Sequence, residues 1–544
     1  MVEAVVDIET DGINATKIYC IVARCYKTNK VESWVGQECK DFGVWSNQID
    51  TFIMHNGISF DAPVLNRLTG SNIKLDQVRD TLIESQLYNP IRDGGHSLEA
   101  WGKTLGFEKG DFHDFSEYTP EMLEYCKRDT EVTRLLAKEL DKEGNDFSCK
   151  SYELESKVRA IIDKQQNNGF AFNVMKGTIL LAQLQDELFE LQRKAEEEFE
   201  PTIVELKTKT KEIPFNIGSR QQIADRLKKR GWKPTQYTDK GNIIINEAVL
   251  SKIKMPEAEM FNRYFLLQKR TGLLKSWISE CQEDNRVRGK VMTLRTITGR
   301  MAHAVPNMAQ VPSISSPYGR ECRSLWTVDD QSKFRLVGVD ASGLELRCLA
   351  HYMDSPEYTN IVLTGDVHTV NQRAAGLRTR DQAKTFIYAF LYGAGAAKIG
   401  KIVGKGAGAG QKLIQNFLDQ IPPLKKLREN VSRWSKSGKI KALDGRLLHI
   451  RSEHAALNTL LQGAGAIICK QWLVHITEKV NKAGLNAKLV ASIHDEYQFE
   501  VAIPDIERFC RLTKEAMTQT QKTLKVKCEL DCDYKVGKTW ADTH

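Results

Sequence analysis

The sequence lacks the features that would assign a protein to a membrane, to secretion or to a zinc-binding class. No apolar run approaches the roughly 20 residues that span a bilayer. The opening MVEAVVDIET has no basic segment followed by an apolar one. The 12 cysteines are scattered, and the pair Cys528 and Cys532 has no matching second pair. We therefore expect no membrane partner, no secretion signal and no zinc site, and reduced thiols as in a cytoplasmic protein.

The chain also lacks an extreme charge. Its 78 Lys and Arg residues and 70 Asp and Glu residues give a formal charge of +8, which permits a polyanionic partner without requiring one. Hydrophobic residues make up 41% and charged residues 27%, which is typical of a soluble globular protein and not of a disordered one. A length of 544 residues suggests about three or four domains or subdomains.

The stretch RDQAKTFIYAFLYGAG, residues 380–395, predicts an amphipathic helix. Arg380, Lys384, Tyr388 and Tyr392 recur every four residues and would share one face. The opposite face carries the apolar residues Ala383, Phe386, Ile387, Phe390 and Leu391. Two cations followed by two aromatic rings suit a triphosphate with its sugar or base. Taken alone, however, the pattern favours a solvated basic face over a core.

A strand predicted near the start of the chain, residues 5–9, places Asp7 and Glu9 on the same side. Two neighbouring carboxylates repel each other unless a cation neutralises them, so a divalent metal is a natural partner. An edge strand with a solvated face is the alternative for this pair.

Further carboxylates follow on predicted elements. A second apolar strand, residues 51–54, leads into HNGISFD, where Asp61 begins a helix. A long helix, residues 120–140, carries Tyr125 and Asp129 one turn apart on one face.

These residues form a plausible two-metal site. Asp7, Glu9, Asp61 and Asp129 could hold two hard cations that stabilise an in-line phosphoryl displacement, and Tyr125 would orient the attacking water. The motifs DIE, HNxxxFD and YxxxD stand in this order and resemble those of DEDD-type 3′–5′ exonucleases with a tyrosine in the third motif.

The region of residues 146–285 is predicted to be mostly helical. Residues 207–211, KTKTK, are consistent with a loop that touches phosphates or with an ordinary solvated loop. Ser219 with Gln222 predicts a capping box, and the helix would end in the cations and glycine of residues 228–231. The pattern FNxxSxxQ resembles the thumb of family A DNA polymerases, an arm that could close over a duplex backbone.

A second pair of carboxylates is predicted downstream. A buried strand, residues 334–339, delivers Asp340. Two apolar strands, residues 488–493 and 497–503, are joined by HDE, which places Asp495 at a hairpin tip. Carboxylates at these positions could share two Mg²⁺ ions. A polar hairpin without function is the alternative, and the pairing with Asp340 disfavours it.

The segments DASGLELRCLAHYM, RDQAKTFIYAFLYGAG and HDE resemble motifs A, B and C of family A DNA polymerases, in order. They are most similar to the replicative polymerases of T-odd, autographivirus-type bacteriophages. The resemblance implies an α/β (α+β multidomain) fold in which an RNase H-like exonuclease domain precedes a right-hand polymerase domain. The implied boundaries are an exonuclease at 1–145, thumb and connecting helices at 146–285, palm at 286–360, fingers at 361–470 and a second palm segment at 471–544.

The resemblance also implies roles for single residues. Asp340, Ala341 and Asp495 would bind the catalytic metals of the polymerase site, with Glu496 beside them. We expect Mg²⁺, two ions per active site, with Mn²⁺ as a substitute. The incoming nucleotide would be contacted by Arg380, Lys384 and His368 at the triphosphate, Tyr388 at the sugar, Tyr392 at the base or template, and Glu345 at the ribose 2′ position. The DNA would be contacted by Arg300, Asn458, Gln462 and His494.

Three of these residues predict specific behaviour. Lys384 would protonate the leaving pyrophosphate. Glu345 would block a ribose 2′-hydroxyl, which favours deoxynucleotides and argues against an RNA polymerase. Tyrosine at position 388 suggests tolerance of chain-terminating dideoxynucleotides.

Two departures from the phage relatives limit the resemblance. Only about fifteen residues join Phe199 to Phe215, which is too short for the thumb insertion that docks thioredoxin, so thioredoxin dependence is not expected. No leading 5′-nuclease domain is expected, because the exonuclease motif begins at Asp7.

The expected function is template-directed addition of dNTPs to a primer, with proofreading, in the cytoplasm of an infected bacterium. The expected partners are primer–template DNA and dNTPs, with a phage primase-helicase and a single-stranded DNA-binding protein as candidates, and the protein is expected to be a monomer. An inactive relative that only clamps DNA is an alternative, disfavoured because every expected carboxylate is present. A gap-filling repair enzyme would share the chemistry and differ in processivity and partners.

Overall fold

The structure of the protein is a computed structural model that describes residues 2–205 and 210–544. Lys207, Thr208 and Lys209 of the predicted basic loop lie outside the described residues. Compact packing divides the chain into two units. The first unit comprises residues 1–167, 291–303 and 338–534, and the second comprises residues 168–290, 304–337 and 535–544.

The strands are distributed over the whole chain. They are β1 (Glu3–Thr10), β2 (Ile18–Cys25), β3 (Val31–Val35), β4 (Thr51–Met54), β5 (Val78–Asp80), β6 (Phe170–Phe172), β7 (Thr202–Glu205), β8 (Thr210–Ile213), β9 (Arg286–Val287), β10 (Lys290–Met292), β11 (Ala302–Ala304), β12 (Trp326–Thr327), β13 (Phe334–Ala341), β14 (Lys439–Lys441), β15 (Leu447–His449), β16 (Ala487–Ile493), β17 (Glu496–Ala502) and β18 (Cys532–Gly537).

Helices account for more of the chain than strands do. They are α1 (Phe42–Trp45), α2 (Asp61–Thr69), α3 (Thr81–Tyr88), α4 (Leu98–Leu105), α5 (Pro120–Glu143), α6 (Cys149–Asn168), α7 (Val174–Glu198), α8 (Arg220–Lys229), α9 (Glu247–Leu250), α10 (Pro256–Ser279), α11 (Gly319–Ser324), α12 (Leu344–Met353), α13 (Pro356–Thr364), α14 (Val367–Ala375), α15 (Arg380–Leu391), α16 (Ala396–Ile402), α17 (Ala407–Gln420), α18 (Pro422–Trp434), α19 (Ala456–Ala483) and α20 (Ile506–Leu524).

A five-stranded mixed sheet organises the start of the first unit, in the order β3-β2-β1-β4-β5. Strand β1 pairs antiparallel with β2 and parallel with β4, so it is central. Apolar side chains of β1 and β2 are buried with those of α2, as expected for a strand covered on both faces. The sheet therefore holds Asp7 and Glu9 of β1 in a rigid, largely dry setting.

A second sheet, in the order β16-β17-β13-β18, carries the other predicted carboxylates. Strands β16 and β17 form a hairpin in which Ile493 pairs with Glu496, so the turn consists of His494 and Asp495. His494 has a φ of +57°, a conformation that a two-residue hairpin turn requires. The predicted hairpin is therefore present, with Glu496 in the strand and not in the turn.

Helix α15 confirms most of the amphipathic pattern of residues 380–395. The Thr379 hydroxyl caps its first turn by accepting from Gln382 N at 3.2 Å. The five apolar residues of the predicted inner face are all buried: Ala383, Phe386, Ile387, Phe390 and Leu391. The helix ends at Leu391, earlier than the pattern suggested, because Gly393 adopts a φ of +72°.

The second unit is built on α7 and α10, which pack against each other. Its core includes Phe199, Phe215 and Phe261, whose rings lie 4.6 to 5.9 Å apart. Ser219 caps α8 as predicted, accepting from Gln222 N at 3.4 Å. The reciprocal half of the capping box is wrong, because the Gln222 side chain accepts from Asn216 N at 2.8 Å instead.

The twelve cysteines carry no disulfide. Among the described residues, no helix combines the length and the apolar character needed to cross a membrane.

Candidate active sites

The first candidate site lies on the central strand of the five-stranded sheet. One carboxylate oxygen each from Asp7 and Glu9 and the Cys126 Sγ all lie within 4.8 Å of one another. Glu9 is 9% exposed, and the Cys126 thiol donates to Asp7 Oδ2 at 3.5 Å. The strand thus places both predicted carboxylates in one small, poorly solvated volume.

Two further carboxylates reach this volume from helices. Asp61 is the first residue of α2 and is 5% exposed, while Asp129, in α5, is 3% exposed. Burial raises the pKa of Asp7, and the neighbouring Asp129 raises it further. Burial, followed by the charge of Asp7, also raises the pKa values of Glu9 and Asp61. The four predicted carboxylates are therefore close enough to repel one another.

A lysine partly offsets this repulsion. Lys109 Nζ lies 2.8 Å from Asp129 Oδ2 and 4.8 Å from the centre of the Tyr125 ring. Burial raises the pKa of Tyr125 to about 12, so its hydroxyl keeps its proton at neutral pH. Asp129 Oδ1 is buried and has no hydrogen-bond partner among the described residues.

The donor set fits hard divalent cations. Carboxylate oxygens are the ligands that Mg²⁺ and Ca²⁺ prefer, and a buried carboxylate oxygen without a partner is costly unless a ligand satisfies it. The carboxyl groups outnumber the single lysine, so a bound divalent cation would favour their ionised forms and neutralise them. The site therefore has both the charge and the free oxygen that a cation requires.

An aspartate that the sequence motifs did not reveal holds the HNGISFD loop. Asp80 is 1% exposed and accepts from Asn56 N at 3.0 Å and from Ile58 N at 3.1 Å. It also caps α3 by accepting from Leu82 N at 3.0 Å. This fixes the backbone that leads to Asp61.

Sequence reasoning also missed Lys109 and Cys126. Cys126 lies in α5 directly after Tyr125, but its apolar character suggested nothing more than core packing. Lys109 lies in a stretch without regular structure, 16 residues before Tyr125, where no periodic pattern predicts which way a side chain points. A lone cation just upstream of the YxxxD motif was the available signal.

The second candidate site forms where β13 ends beside the β16–β17 hairpin. Ala341 N donates to the backbone oxygen of Asp495 at 3.1 Å, which brings Asp340 alongside the turn. Asp340 is exposed and Asp495 is partly exposed. Glu496 is 7% exposed and its Oε1 accepts from Gln498 at 2.5 Å, so it lies in the sheet interior below them.

The two tyrosines of the predicted nucleotide face lie over this site. Their rings are stacked, with centroids 6.5 Å apart and planes inclined by 25°. Tyr392 donates its hydroxyl hydrogen to Glu345, whose Oε1 also lies 3.7 Å from Arg300 Nη2. Burial raises the pKa of Tyr388, followed by the charges of Glu345 and Asp495, which places Tyr388 close to both carboxylates.

The cations of helix α15 gather beside helix α14. Arg380 Nε donates to Asp366 Oδ2 at 2.7 Å, and Asp366 is also the N-cap of α14. Burial lowers the pKa of His368, and Arg380 and Lys384 lower it further, so these three predicted phosphate ligands are neighbours. Asp366 was not predicted, because an N-cap aspartate looks purely structural in a sequence.

The predicted DNA contacts lie at three places in the first unit: helix α19, the segment before β11 and the β16–β17 turn. Asn458 and Gln462 are one turn apart on α19, and Gln462 Nε2 donates to Asn458 Oδ1 at 2.8 Å. Arg300, His494 and Asp495 line a small cavity of about 30 Å³. All of the predicted site residues are thus described and lie in the first unit; Asn458 and Gln462 contact each other, and no contact to the other predicted residues is found for them among residues 2–205 and 210–544.

The sequence has counterparts among known proteins. The sequence profile of DNA polymerase family A matches residues 185–542. The chain is 31% identical to the DNA-directed DNA polymerase of Escherichia phage T7 and 30% identical to that of Enterobacteria phage T3. Both alignments run over 703 positions and cover 99% of each chain.

The fold has a solved counterpart as well. The structure is similar to the POL domain of Pol1 from M. smegmatis in complex with DNA primer-template and dNTP, with a TM-score of 0.80 and 17% identity. The similarity covers 99% of this chain and 95% of that chain. The predicted family and the predicted α/β multidomain fold are confirmed. Enzymes of this family depend on metal ions. The chain belongs to DNA polymerase family A and is a DNA-directed DNA polymerase, a nucleotidyltransferase.

Proposed function

We propose that this polymerase carries a 3′–5′ proofreading exonuclease in residues 1–145, in addition to its polymerase site. The observation that carries the proposal is the convergence of Asp7, Glu9, Asp61 and Asp129, drawn from a strand and two helices, beside Tyr125. Structural carboxylates are seldom buried together without cations. Such a cluster suits phosphodiester hydrolysis better than a purely structural role.

In the exonuclease site, the four carboxylates would hold Mg²⁺, two ions per site, with Mn²⁺ as a substitute. Bound cations would supply charge neutralisation at the phosphate and activation of a water. Tyr125 would orient that water through its protonated hydroxyl. Asp80 keeps the loop before Asp61 in place.

In the polymerase site, Asp340 and Asp495, with the Ala341 backbone, would hold the second pair of cations. The exposed Arg380 and Lys384, with His368, would bind the triphosphate, and Lys384 would donate a proton to the leaving pyrophosphate. Tyr388 would meet the sugar and Tyr392 the base or template. Glu496, buried beneath the hairpin tip, would support Asp495 from below.

Specificity would come from groups at the edge of the polymerase site. Glu345, fixed by Tyr392 and facing Arg300, would occupy the space of a ribose 2′-hydroxyl. Arg300, Asn458, Gln462 and His494 would contact the primer-terminal base pairs. The thumb at 146–285, the palm at 286–360 and 471–544 and the fingers at 361–470 remain our proposed subdivision.

The biological setting follows from the phage relatives. The T7 and T3 polymerases support a role in replicating phage DNA within the cytoplasm of an infected bacterium. We propose primer–template DNA and dNTPs as substrates, a monomeric enzyme, and a primase-helicase and single-stranded DNA-binding protein as partners. The short connection between Phe199 and Phe215 supports independence from thioredoxin.

Paired substitutions test the two sites against each other. Asp7→Ala should abolish degradation of a labelled 3′ end while preserving Mg²⁺-dependent primer extension. Asp495→Ala should do the reverse. Circular dichroism of both variants controls for misfolding. Undiminished 3′ degradation by the Asp7→Ala variant would show that the exonuclease assignment is wrong.

A further inference from the structure

A lysine-rimmed cleft in the first unit is lined by residues other than those of the two candidate sites. It has a volume of about 590 Å³ and is lined by parts of α6, of strand β14 and the turn after it, of α19, and of the end of α20. A volume of this size suits a ligand of one or two nucleotides. None of the residues assigned above to the exonuclease or polymerase site lines it.

Four lysines from separate parts of the chain converge on this cleft: Lys150, Lys157, Lys441 and Lys525. All four are exposed. Lys157 pairs with Glu478 at 2.9 Å, while the other three have no ion pair within the described part of the chain. Like charges repel, so their convergence raises the local positive potential and favours an anionic ligand.

The acidic residues of the lining do not cancel this charge. Asp444 is bound to Arg446, which donates to Asp444 Oδ2 through Nε at 2.9 Å and through Nη2 at 2.6 Å. Its negative charge is therefore already paired. Glu153 is the remaining acid of the lining, against three lysines without an ion pair.

The lining also says how a ligand would be recognised. Among the described residues, no Phe, Tyr or Trp on which a base could stack lines the cleft, and the lining includes Gln471 and His475, whose side chains are 3.0 Å apart. Base stacking is the usual source of contact in sites that grip nucleobases. This cleft instead offers charge alone, which suits a phosphate backbone read without sequence.

We propose that this cleft binds the phosphate backbone of single-stranded DNA, as an auxiliary site separate from both catalytic centres. Lys150 lies on α6, Lys441 at the end of β14 and Lys525 directly after α20, so the three lysines without an ion pair are spread over the lining. Cations spread in this way suit consecutive phosphates of one strand better than a single compact anion. The inference does not depend on the exonuclease assignment.

The test uses the full-length protein in EDTA, so that neither centre turns over. Lysine acetylation by a small reagent is mapped by mass spectrometry with and without an oligo(dT) strand of about 30 nucleotides, long enough for several contacts. Lys150, Lys441 and Lys525 should be protected by the strand. Lys30, Lys40 and Lys142, exposed lysines of the same unit outside the cleft, should not be.

Charge reversal gives the quantitative readout. A Lys150→Glu/Lys441→Glu/Lys525→Glu variant should bind oligo(dT) more weakly by fluorescence anisotropy. Its log Kd should depend less steeply on log salt, by about 2, since each phosphate contact on a single strand contributes about 0.7. The matched variant Lys30→Glu/Lys40→Glu/Lys142→Glu has the same net charge and should keep the wild-type slope.

Three outcomes would overturn the proposal. One is equal slopes for the two triple variants, together with no protection of the cleft lysines. Another is protection by dTTP or pyrophosphate alone at concentrations where oligo(dT) gives none, which would identify a compact phosphate ligand. The third is that the Lys150→Glu/Lys441→Glu/Lys525→Glu variant loses binding to a poly-glutamate peptide that wild type binds, while its binding to oligo(dT) is unchanged. That result would assign the cleft to an acidic protein segment.

Discussion

The two carboxylate sites of the first unit differ in how much water reaches them. Around Asp7, four carboxylates are packed into the space between a central strand and two helices, and burial raises the pKa of each. Around Asp495, the two aspartates stand at the end of a strand and on a hairpin turn, where they remain partly exposed.

The two sites also differ in what stabilises them before a ligand binds. The site around Asp7, called the crowded site below, requires positive charge even without a ligand, and Lys109 supplies part of it. The site around Asp495, called the open site below, is stabilised by the backbone hydrogen bond between Ala341 and Asp495. Its cations, Arg380 and Lys384, lie on a separate helix. The first site thus offsets its charge within a buried cluster, while the second carries its cations on a different element from its carboxylates.

The largest expected effect separates the sites outright. Asp61→Ala should reduce 3′-end degradation by about a thousandfold, because a metal ligand supports several kcal/mol of transition-state stabilisation and each 1.4 kcal/mol is tenfold. Extension of a primed template should stay within about twofold of wild type, given that only an effect below 0.5 kcal/mol is expected across separate sites. Degradation of a 3′-labelled strand and primer extension are measured on the same preparation.

The mirror variant Asp340→Ala completes this comparison. It should lose extension and keep degradation. If either variant lost both activities while keeping its melting temperature, the two sites would share a component and would not act independently.

The next effect concerns substrate choice in the open site. Glu345→Ala should raise the relative kcat/KM for ribonucleotides by about 10- to 200-fold, the range that a small steric difference in a pocket commands. Glu345→Gln has nearly the same size and should retain discrimination. Single-nucleotide incorporation of ATP and dATP measures the ratio of their kcat/KM values. Equal discrimination by wild type and both variants would show that Glu345 does not exclude ribonucleotides.

A smaller effect concerns the stability of the crowded site without metal. Because the folded-state pKa of Asp7 is raised, this carboxyl stabilises the fold while protonated, and that contribution is lost as pH rises from about 4 through the folded pKa. Asp7→Asn cannot ionise. In EDTA its melting temperature should therefore exceed that of wild type by a margin that grows as pH rises from about 4.

Added Mg²⁺ should narrow this margin, since wild type then gains a bound cation. A margin that stayed constant with pH would show that folding does not raise the pKa of Asp7.

The sequence predicted the elements that carry local signals. The period-four pattern of α15, the apolar strand before Asp340 and the HDE hairpin all appear where expected, because burial and turn geometry are encoded within a few residues. The carboxylates of the first site were predicted from three motifs in order, although their mutual distances depend on the tertiary fold.

The residues that sequence reasoning missed act through long-range contacts. Lys109 reaches Asp129 from an irregular segment, and Asp80 holds Asn56 from 24 residues away, so neither leaves a periodic trace. The reciprocal half of the capping box at Ser219 was wrong for a local reason, because the Gln222 side chain accepts from Asn216 N, six residues before it. Pairing partners chosen by tertiary geometry cannot be read from spacing.

The smallest expected effect tests the idle state of the open site. Asp366 accepts a hydrogen bond from Arg380, the residue that we propose binds the triphosphate. This hydrogen bond lowers the pKa of Asp366. Asp366→Asn should therefore lower the KM for dNTPs, but by a few-fold at most, because exposed ion pairs contribute little and salt screens them. The matched variant Asp381→Asn removes a neighbouring acid of α15 for which no ion pair is found among residues 2–205 and 210–544, and it should leave the KM unchanged. Steady-state incorporation at low and high salt measures both, and the gain should shrink at high salt. A raised KM would instead mean that Asp366 orients Arg380 productively, so that nucleotide binding in the open site depends on the preformed pair of these two residues.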